Sequence, residues 1–474
     1  MRTAEKYICL VLCTAVLMLA SACHQINSTD SAEGSISFVD DDGVRIYLDA
    51  PAERVISLYS AHTENLYYLG AGSRMIGGYK TCVFPPEAAF LDMYDYSSDP
   101  ENIIASDPDL VLIRPFISRR SPDFVDALRK AGICVVSLYP DSFDEFDDYI
   151  NKLAALTGTE ERAAELLAEF HSELDAVTEL TAAVDEKQRV FFESTETNIR
   201  TVTDDSMAGR AIKLAGGINI AADEPPAEEG SSIAEFGVER VLENADGIDV
   251  YISQRGSMNS GGNLEAIEQR PGFDTIKAVK EGRVYLISEK LVSSPSFRYV
   301  KGVHELARFM YPELMDNYDG YRTDETAVRR QLAELIVMHE HMPIYLPSSS
   351  SYYSSEHKGH TFGLFEDVSW QDRSFDYIET AVNSGAVEWF DMENGEYFYP
   401  ENNVTREELA EAVFILGDFS AQDDHAVISD IDSCSSTRIV QTLVDNGVFG
   451  LNEGKFEPKR AVSCNEIIAA LDRL

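Results

Sequence analysis

Residues 160–186, EERAAELLAEFHSELDAVTELTAAVDE, decide how the chain is organised. Ala163, Leu167, Phe170, Leu174, Val177, Leu180 and Val184 step by three and four along one face, with no Pro or Gly to interrupt them, so the stretch predicts one long amphipathic helix. Apolar runs short enough for buried strands lie on its N-terminal side: Arg54-Val55-Ile56-Ser57-Leu58, Leu110-Val111-Leu112-Ile113 and Ile133-Cys134-Val135-Val136-Ser137. A second group lies on its C-terminal side: Arg189-Val190-Phe191-Phe192, Asp249-Val250-Tyr251-Ile252-Ser253 and Arg283-Val284-Tyr285-Leu286-Ile287. Strands alternating with amphipathic helices predict α/β architecture, here as two α/β lobes joined by a single stiff helix. Such a connection limits hinge closure, so a ligand should move the lobes only slightly.

The length of 474 residues exceeds one ordinary core, and Lys+Arg 39 against Asp+Glu 82 gives a net charge of -43. A surface this acidic repels nucleic acid and anionic lipid headgroups outside local basic spots. At 44% hydrophobic residues the chain nonetheless has the composition of folded domains. It holds no Gly-x-Ser-x-Gly elbow and no phosphate loop, and no enzyme activity or resident cofactor is expected. His339-Glu340-His341 with His357 and His360 could hold zinc, but histidines two apart do not share a helix face and their surroundings read as linker, so no metal site is expected. Asp40-Asp41-Asp42-Gly43 reads as a hairpin turn.

Arg2 and Lys6, an apolar run over residues 7–19, and Leu19-Ala20-Ser21-Ala22-Cys23 resemble a bacterial lipoprotein signal. The resemblance implies cleavage before Cys23, acylation of that residue and anchorage on the outer face of the cytoplasmic membrane, each buried methylene contributing roughly 0.8 kcal/mol. Residues 23–36 would be the tether. Of the other cysteines left, Cys82, Cys134, Cys434 and Cys464, Cys134 reads as a small strand hydrophobe, and the last two share one small unit and could pair outside the cell.

The two halves echo one another. Glu101-Asn102-Ile103-Ile104, a break at Asp107-Pro108-Asp109 and the strand at Leu110 can be laid beside Glu239-Arg240-Val241-Leu242, a break at Asp246-Gly247 and the strand at Val250. With Ser60-Ala61-His62-Thr63-Glu64-Asn65-Leu66, Leu214-Ala215-Gly216-Gly217-Ile218-Asn219, Glu281-Gly282-Arg283-Val284-Tyr285 and Gly302-Val303-His304-Glu305-Leu306, the order of motifs resembles substrate-binding proteins of iron-siderophore, haem and cobalamin ABC importers, class III solute-binding proteins. The resemblance implies lobes at 37–156 and 188–313 with the joining helix at 157–187, no turnover, and a glutamate on each lobe, Glu101 and Glu239, docking onto the membrane permease. In such a fold the ligand lies between the lobes at the strand ends. The candidates there are Tyr59, Ser60, Tyr79, Lys80, Arg114 and Phe116 from the first lobe and Arg255 and Arg298 from the second. Three arginines on so acidic a chain point to an anionic chelate, a ferric siderophore, ahead of cobalamin or haem. The alternative of a different class is a structural wall-associated surface protein.

After a linker at 314–361, a pattern recurs. Phe365-Glu366-Asp367-Val368, Gly395-Glu396-Tyr397-Phe398-Tyr399-Pro400 and Val404-Thr405-Arg406-Glu407-Glu408 return as Ile428-Ser429-Asp430-Ile431, Gly454-Lys455-Phe456-Glu457-Pro458 and Val462-Ser463-Cys464-Asn465-Glu466. These resemble S-layer homology repeats, a mainly α unit at 362–417 and 418–474. The resemblance implies secondary cell-wall polysaccharide as a partner, with Arg406 as its contact; Cys464 replaces the second arginine, and no third complete repeat is found.

Overall fold

The computed structural model describes residues 36–82, 84–228, 231–259, 263–345, 363 and 365–474. The signal at 1–22, Cys23 with nearly all of its tether, and His357 and His360 lie outside them. The chain opens on an antiparallel hairpin, β1 (Ile36–Val39) and β2 (Arg45–Leu48). Asp40 Oδ1 closes its turn by accepting the Val44 amide at 2.8 Å.

The first lobe is a five-stranded parallel sheet of β3 (Val55–Ser57), β4 (Met75–Tyr79), β5 (Asp92–Tyr94), β6 (Leu110–Ile113) and β7 (Cys134–Ser137), in the order β5-β4-β3-β6-β7. The second lobe is built from β8 (Arg189–Glu193), β9 (Arg200–Val202), β10 (Ile218–Asn219), β11 (Ile233–Glu235), β12 (Val250–Arg255) and β13 (Val284–Ser288). Four of these form the parallel sheet β10-β8-β12-β13, and β9 and β11 pair antiparallel beside it. β6 is buried along its whole length and β12 at all but its last residue, as parallel strands covered on both faces must be.

Helix Glu160–Ala182 joins the lobes and buries Ala163, Leu166, Leu167, Phe170, Leu174 and Val177. It stops short of the expected residue 186: Ala183 caps it, and Val184 turns back to the Thr181 carbonyl at 3.1 Å. Gly158, in the left-handed region at φ 65°, separates it from helix Phe146–Thr157.

The duplication read from the sequence is present in hydrogen bonds. Ahead of β3, the Arg54 amide donates to Asp109 at 3.0 Å and its Nε to the Asp107 carbonyl at 2.8 Å. At the start of β8, the Arg189 amide donates to Asp249 at 2.8 Å and its Nε to the Gly247 carbonyl at 3.0 Å.

The stretch at 314–361 is not a linker throughout. Helix Arg329–His339 within it packs into the C-terminal unit beside helices Phe375–Ser384, Arg406–Leu416, Thr437–Asp445 and Cys464–Leu471 and the hairpin β14 (Phe390–Met392) and β15 (Gly395–Tyr397). Three of these helices start around a closed ring of backbone bonds: Ala327 N–H to Val462 C=O at 2.8 Å, Val462 N–H to Val404 C=O at 3.0 Å, and Val404 N–H to Ala327 C=O at 3.0 Å. Each helix is capped alike, with Gln331, Glu408 and Glu466 accepting from the amides of Val328, Thr405 and Ser463. The helical portion of a third copy therefore exists, inside the supposed linker. The two copies read from sequence also match: Asp367 accepts the Phe398 and Tyr399 amides, and Asp430 those of Phe456 and Glu457. Cys434 and Cys464 are buried and free, so the suggested disulfide is absent.

Candidate ligand cleft

The two lobes meet along helix Ser60–Tyr68, which follows β3 and is buried from Ser60 through Leu66. Its polar side chains face residues 290–298, which follow β13. Lys290 Nζ donates to Ser60 Oγ at 2.8 Å, and Asn65 Nδ2 donates to the Pro295 carbonyl at 2.8 Å. Glu64 accepts Arg298 Nε at 2.5 Å, Nη2 at 2.9 Å and Ser296 Oγ at 2.8 Å. With side chains only 1% and 4% exposed, Arg298 and Glu64 form a buried ion pair between the lobes, and the guanidinium lies 3.7 Å from the Phe84 ring centre. Arg298 and the buried Ser60 thus belong to the seam, not to an open ligand surface. His62 lies in the same helix; Nε2–H donates to the Leu138 carbonyl at 2.9 Å, and burial pushes the imidazole down to about 3, so it is neutral.

Past the seam, the C-terminal ends of the first-lobe strands bring four predicted residues together. The Arg114 guanidinium, following β6, is 4.9 Å from the ring centres of both Tyr59 and Phe116. Tyr79, at the end of β4, stacks on Tyr96 with centroids 5.6 Å apart, and Tyr96 meets Phe116 edge-on at 6.2 Å. Tyr139, after β7, approaches Tyr59 at 6.0 Å. Tyr96 and Tyr139 are additions to the predicted set; each follows a strand, which is the signal that marks them. Lys80 is near but engaged, in an ion pair with Asp95 at 2.5 Å. Across the seam, Arg255 ends β12 as an exposed residue, and the next turn presents Met258, 50% exposed. Glu289 holds that turn, accepting Ser257 Oγ at 2.8 Å and the Met258 amide at 3.2 Å.

A cavity of about 360 Å³ lies elsewhere, at the Tyr68 end of the seam helix, walled by Phe170, Phe297, Lys301, Arg373 and Tyr377. It separates the inter-lobe helix from the C-terminal unit and contains none of the strand ends.

Glu101 and Glu239 are both exposed and both sit in the first turn of short helices, Glu101–Ala105 and Val238–Glu243. Arg406 is half-buried: its Nη2 donates to the Gly450 carbonyl at 2.8 Å, and its guanidinium lies 5.0 Å from the Phe456 ring centre. His339 bonds Glu340 and Asp472 at 3.1 and 3.0 Å, and His341 lies edge-on to Tyr285 at 4.7 Å.

Two parallel α/β lobes on one connecting helix, with side chains converging where strand ends meet, is a binding-protein plan, and residues 55–291, half of the chain, match the family model for periplasmic binding proteins. The chain is a periplasmic binding protein. Its relatives include an uncharacterized ABC transporter substrate-binding lipoprotein of Bacillus subtilis, YvrC, 27% identical over 314 residues, spanning 64% of this chain and 96% of the relative. The vitamin B12-binding protein of Vibrio cholerae is 24% identical over 263 residues, 55% of this chain and 90% of its own. Among solved structures, a periplasmic binding protein of Veillonella parvula superimposes with a TM-score of 0.50 at 21% identity, over 59% of this chain and 98% of its own, a likeness of fold. This periplasmic binding protein carries its C-terminal unit beyond the family match.

Proposed function

We propose that the protein is the lipid-anchored substrate-binding component of an ABC importer and that its cleft captures a corrinoid. The observation that carries the reading is the ring cluster of Tyr59, Tyr79, Tyr96, Phe116 and Tyr139 around Arg114, which offers flat apolar area with one shared cation. A bulky, near-neutral macrocycle suits such a surface. With Arg298 bonded to Glu64 and Lys80 to Asp95, the cationic focus that favoured an anionic siderophore shrinks to Arg114 and Arg255. Those two arginines still support a ferric chelate as the second reading, because each can offer a carboxylate or catecholate a paired bond. The name of the Vibrio cholerae relative, a vitamin B12-binding protein, supports the first reading.

Capture would involve no turnover. Cys23 would hold the protein at the membrane, and Glu101 and Glu239, equivalent in the two lobes, would dock it on the permease. For the C-terminal unit the reading is S-layer homology-like repeats with wall polysaccharide as partner. The recurring cap motif supports it. Arg329, which occupies the position of Arg406 in the further copy, instead spends its guanidinium on the Phe398 and Glu388 carbonyls and on Glu408. The groove it lines also presents Glu411, which does not favour an anionic glycan. Retention on purified cell wall, compared with Arg406→Ala, tests this part.

Calorimetry of the full chain against cobalamin, haem, a ferric catecholate and a ferric hydroxamate tests the cleft. Cobalamin should bind, and Arg114→Ala and Tyr79→Ala should each weaken it about tenfold, a loss of about 1.4 kcal/mol. Binding of a ferric chelate with no response to cobalamin would replace the first reading by the second.

A further inference from the structure

We propose that the C-terminal unit is a brace that fixes the angle between the two lobes. It is attached to both. On the first lobe, Trp370 lies edge-on to Tyr68 at 5.0 Å and to Phe84 at 5.8 Å, and Phe375 meets Phe84 at 6.2 Å. On the second lobe, fully buried Asp376 accepts Lys301 Nζ at 2.6 Å, and Arg373 pairs with Asp319, which follows the lobe and is ion-paired to its Arg308. His341, beyond helix Arg329–His339, covers Tyr285 of β13. The attachment is not a surface contact: buried apolar side chains of the first lobe, the inter-lobe helix, the second lobe and the C-terminal unit form one continuous cluster.

A body bonded to both arms of a hinge opposes its motion. If the lobes open or close about the seam, Trp370 must slide across Tyr68 and Phe84, or Asp376 must leave Lys301. Close-packed interiors have discrete arrangements and resist continuous sliding, and separating a buried pair leaves an uncompensated charge. The brace also touches the seam through a shared residue. Phe84 carries the Arg298 guanidinium, itself bonded to Glu64, on one side of this chain of contacts and Trp370 and Phe375 on the other. Loosening the unit should therefore be felt at the floor of the cleft.

The test needs no ligand and is independent of what the cleft binds. Spin labels carried by unnatural amino acids at positions 120 and 265, exposed in the first and second lobes, report the inter-lobe distance by pulsed electron resonance on the full chain. The wild-type protein should give one narrow distribution. Trp370→Ala combined with Asp376→Asn should broaden it or shift it, and Trp370→Phe alone, which keeps a ring against Tyr68 and Phe84, should retain the narrow form. Lys301→Met removes the same ion pair from the lobe side and serves if the double variant does not fold. Distributions that superimpose on wild type in the folded variants would overturn the proposal.

Discussion

Arg298 shows what one residue's partner can do to a reading. Grouped with Arg114 among the cations that follow strands, it lies ten residues past β13, beyond a short helix, and is bonded to Glu64, 234 residues away in the chain. The segment Ser60-Ala61-His62-Thr63-Glu64-Asn65 looks like an exposed polar helix start, and its burial follows from polar partners that another lobe supplies. Removing one partner of such a pair is costly. Arg298→Met should lower stability by about 3–5 kcal/mol in urea unfolding, because Glu64 is left charged and unpaired. Adding Glu64→Leu should recover a large part of the loss, since two apolar groups then replace two charges. Tyr139 was within reach of sequence reasoning, following a strand already recognised, whereas Tyr96 was hidden with the unrecognised strand before it.

At the scale of elements, the long apolar strands were legible and the glycine-bearing one was not delimited. β4 reads Met75-Ile76-Gly77-Gly78-Tyr79, which sequence rules take for a turn. A Cβ on Gly77 would lie 2.4 Å from the Tyr94 ring, so that glycine is there to let β5 lie close. The third cap of the C-terminal ring escaped notice because Val328 and Gln331 stand where the other copies have Thr405 with Glu408 and Ser463 with Glu466. Ser463→Ala should cost about 1 kcal/mol, the usual loss for a cap, read as a lowered denaturation midpoint. The helix Tyr299–Met310 carries a second prediction. Burial, and then the neighbouring Asp376, push the Glu305 carboxyl from an ordinary value near 4.5 up to about 8, against the opposing pull of Lys301 and Arg308. A folded-state value above the unfolded one means stability fully present below the unfolded value and lost as pH rises through the folded one. The melting temperature should therefore fall between about pH 5 and pH 9 from this group, and Glu305→Gln should flatten that part of the profile.

The two-lobe plan of the whole molecule was legible because an amphipathic period and six buried strand segments are local signals. How the appended unit sits was not, since the contacts of Trp370 with Tyr68 and of Asp376 with Lys301 join distant parts of the chain. On a molecule of net charge -43, Glu101 and Glu239 are distinguished only by equivalent places on the two lobes. Reversing both to lysine should abolish uptake in cells that depend on this protein while calorimetric affinity for the cleft ligand stays unchanged; undiminished uptake would remove the docking role. The ring through Ala327, Val404 and Val462 also sets an order of events during folding. No two of its members make a closed set, so the unit gains its last stabilising bonds only once the segment at Val462 is in place. Until then helix Arg329–His339 has helix Phe375–Ser384 beside it but lacks helix Cys464–Leu471 and the closed ring. Folding of the unit should be all-or-none, and a chain cut before Val462 should lose the earlier copies along with the last.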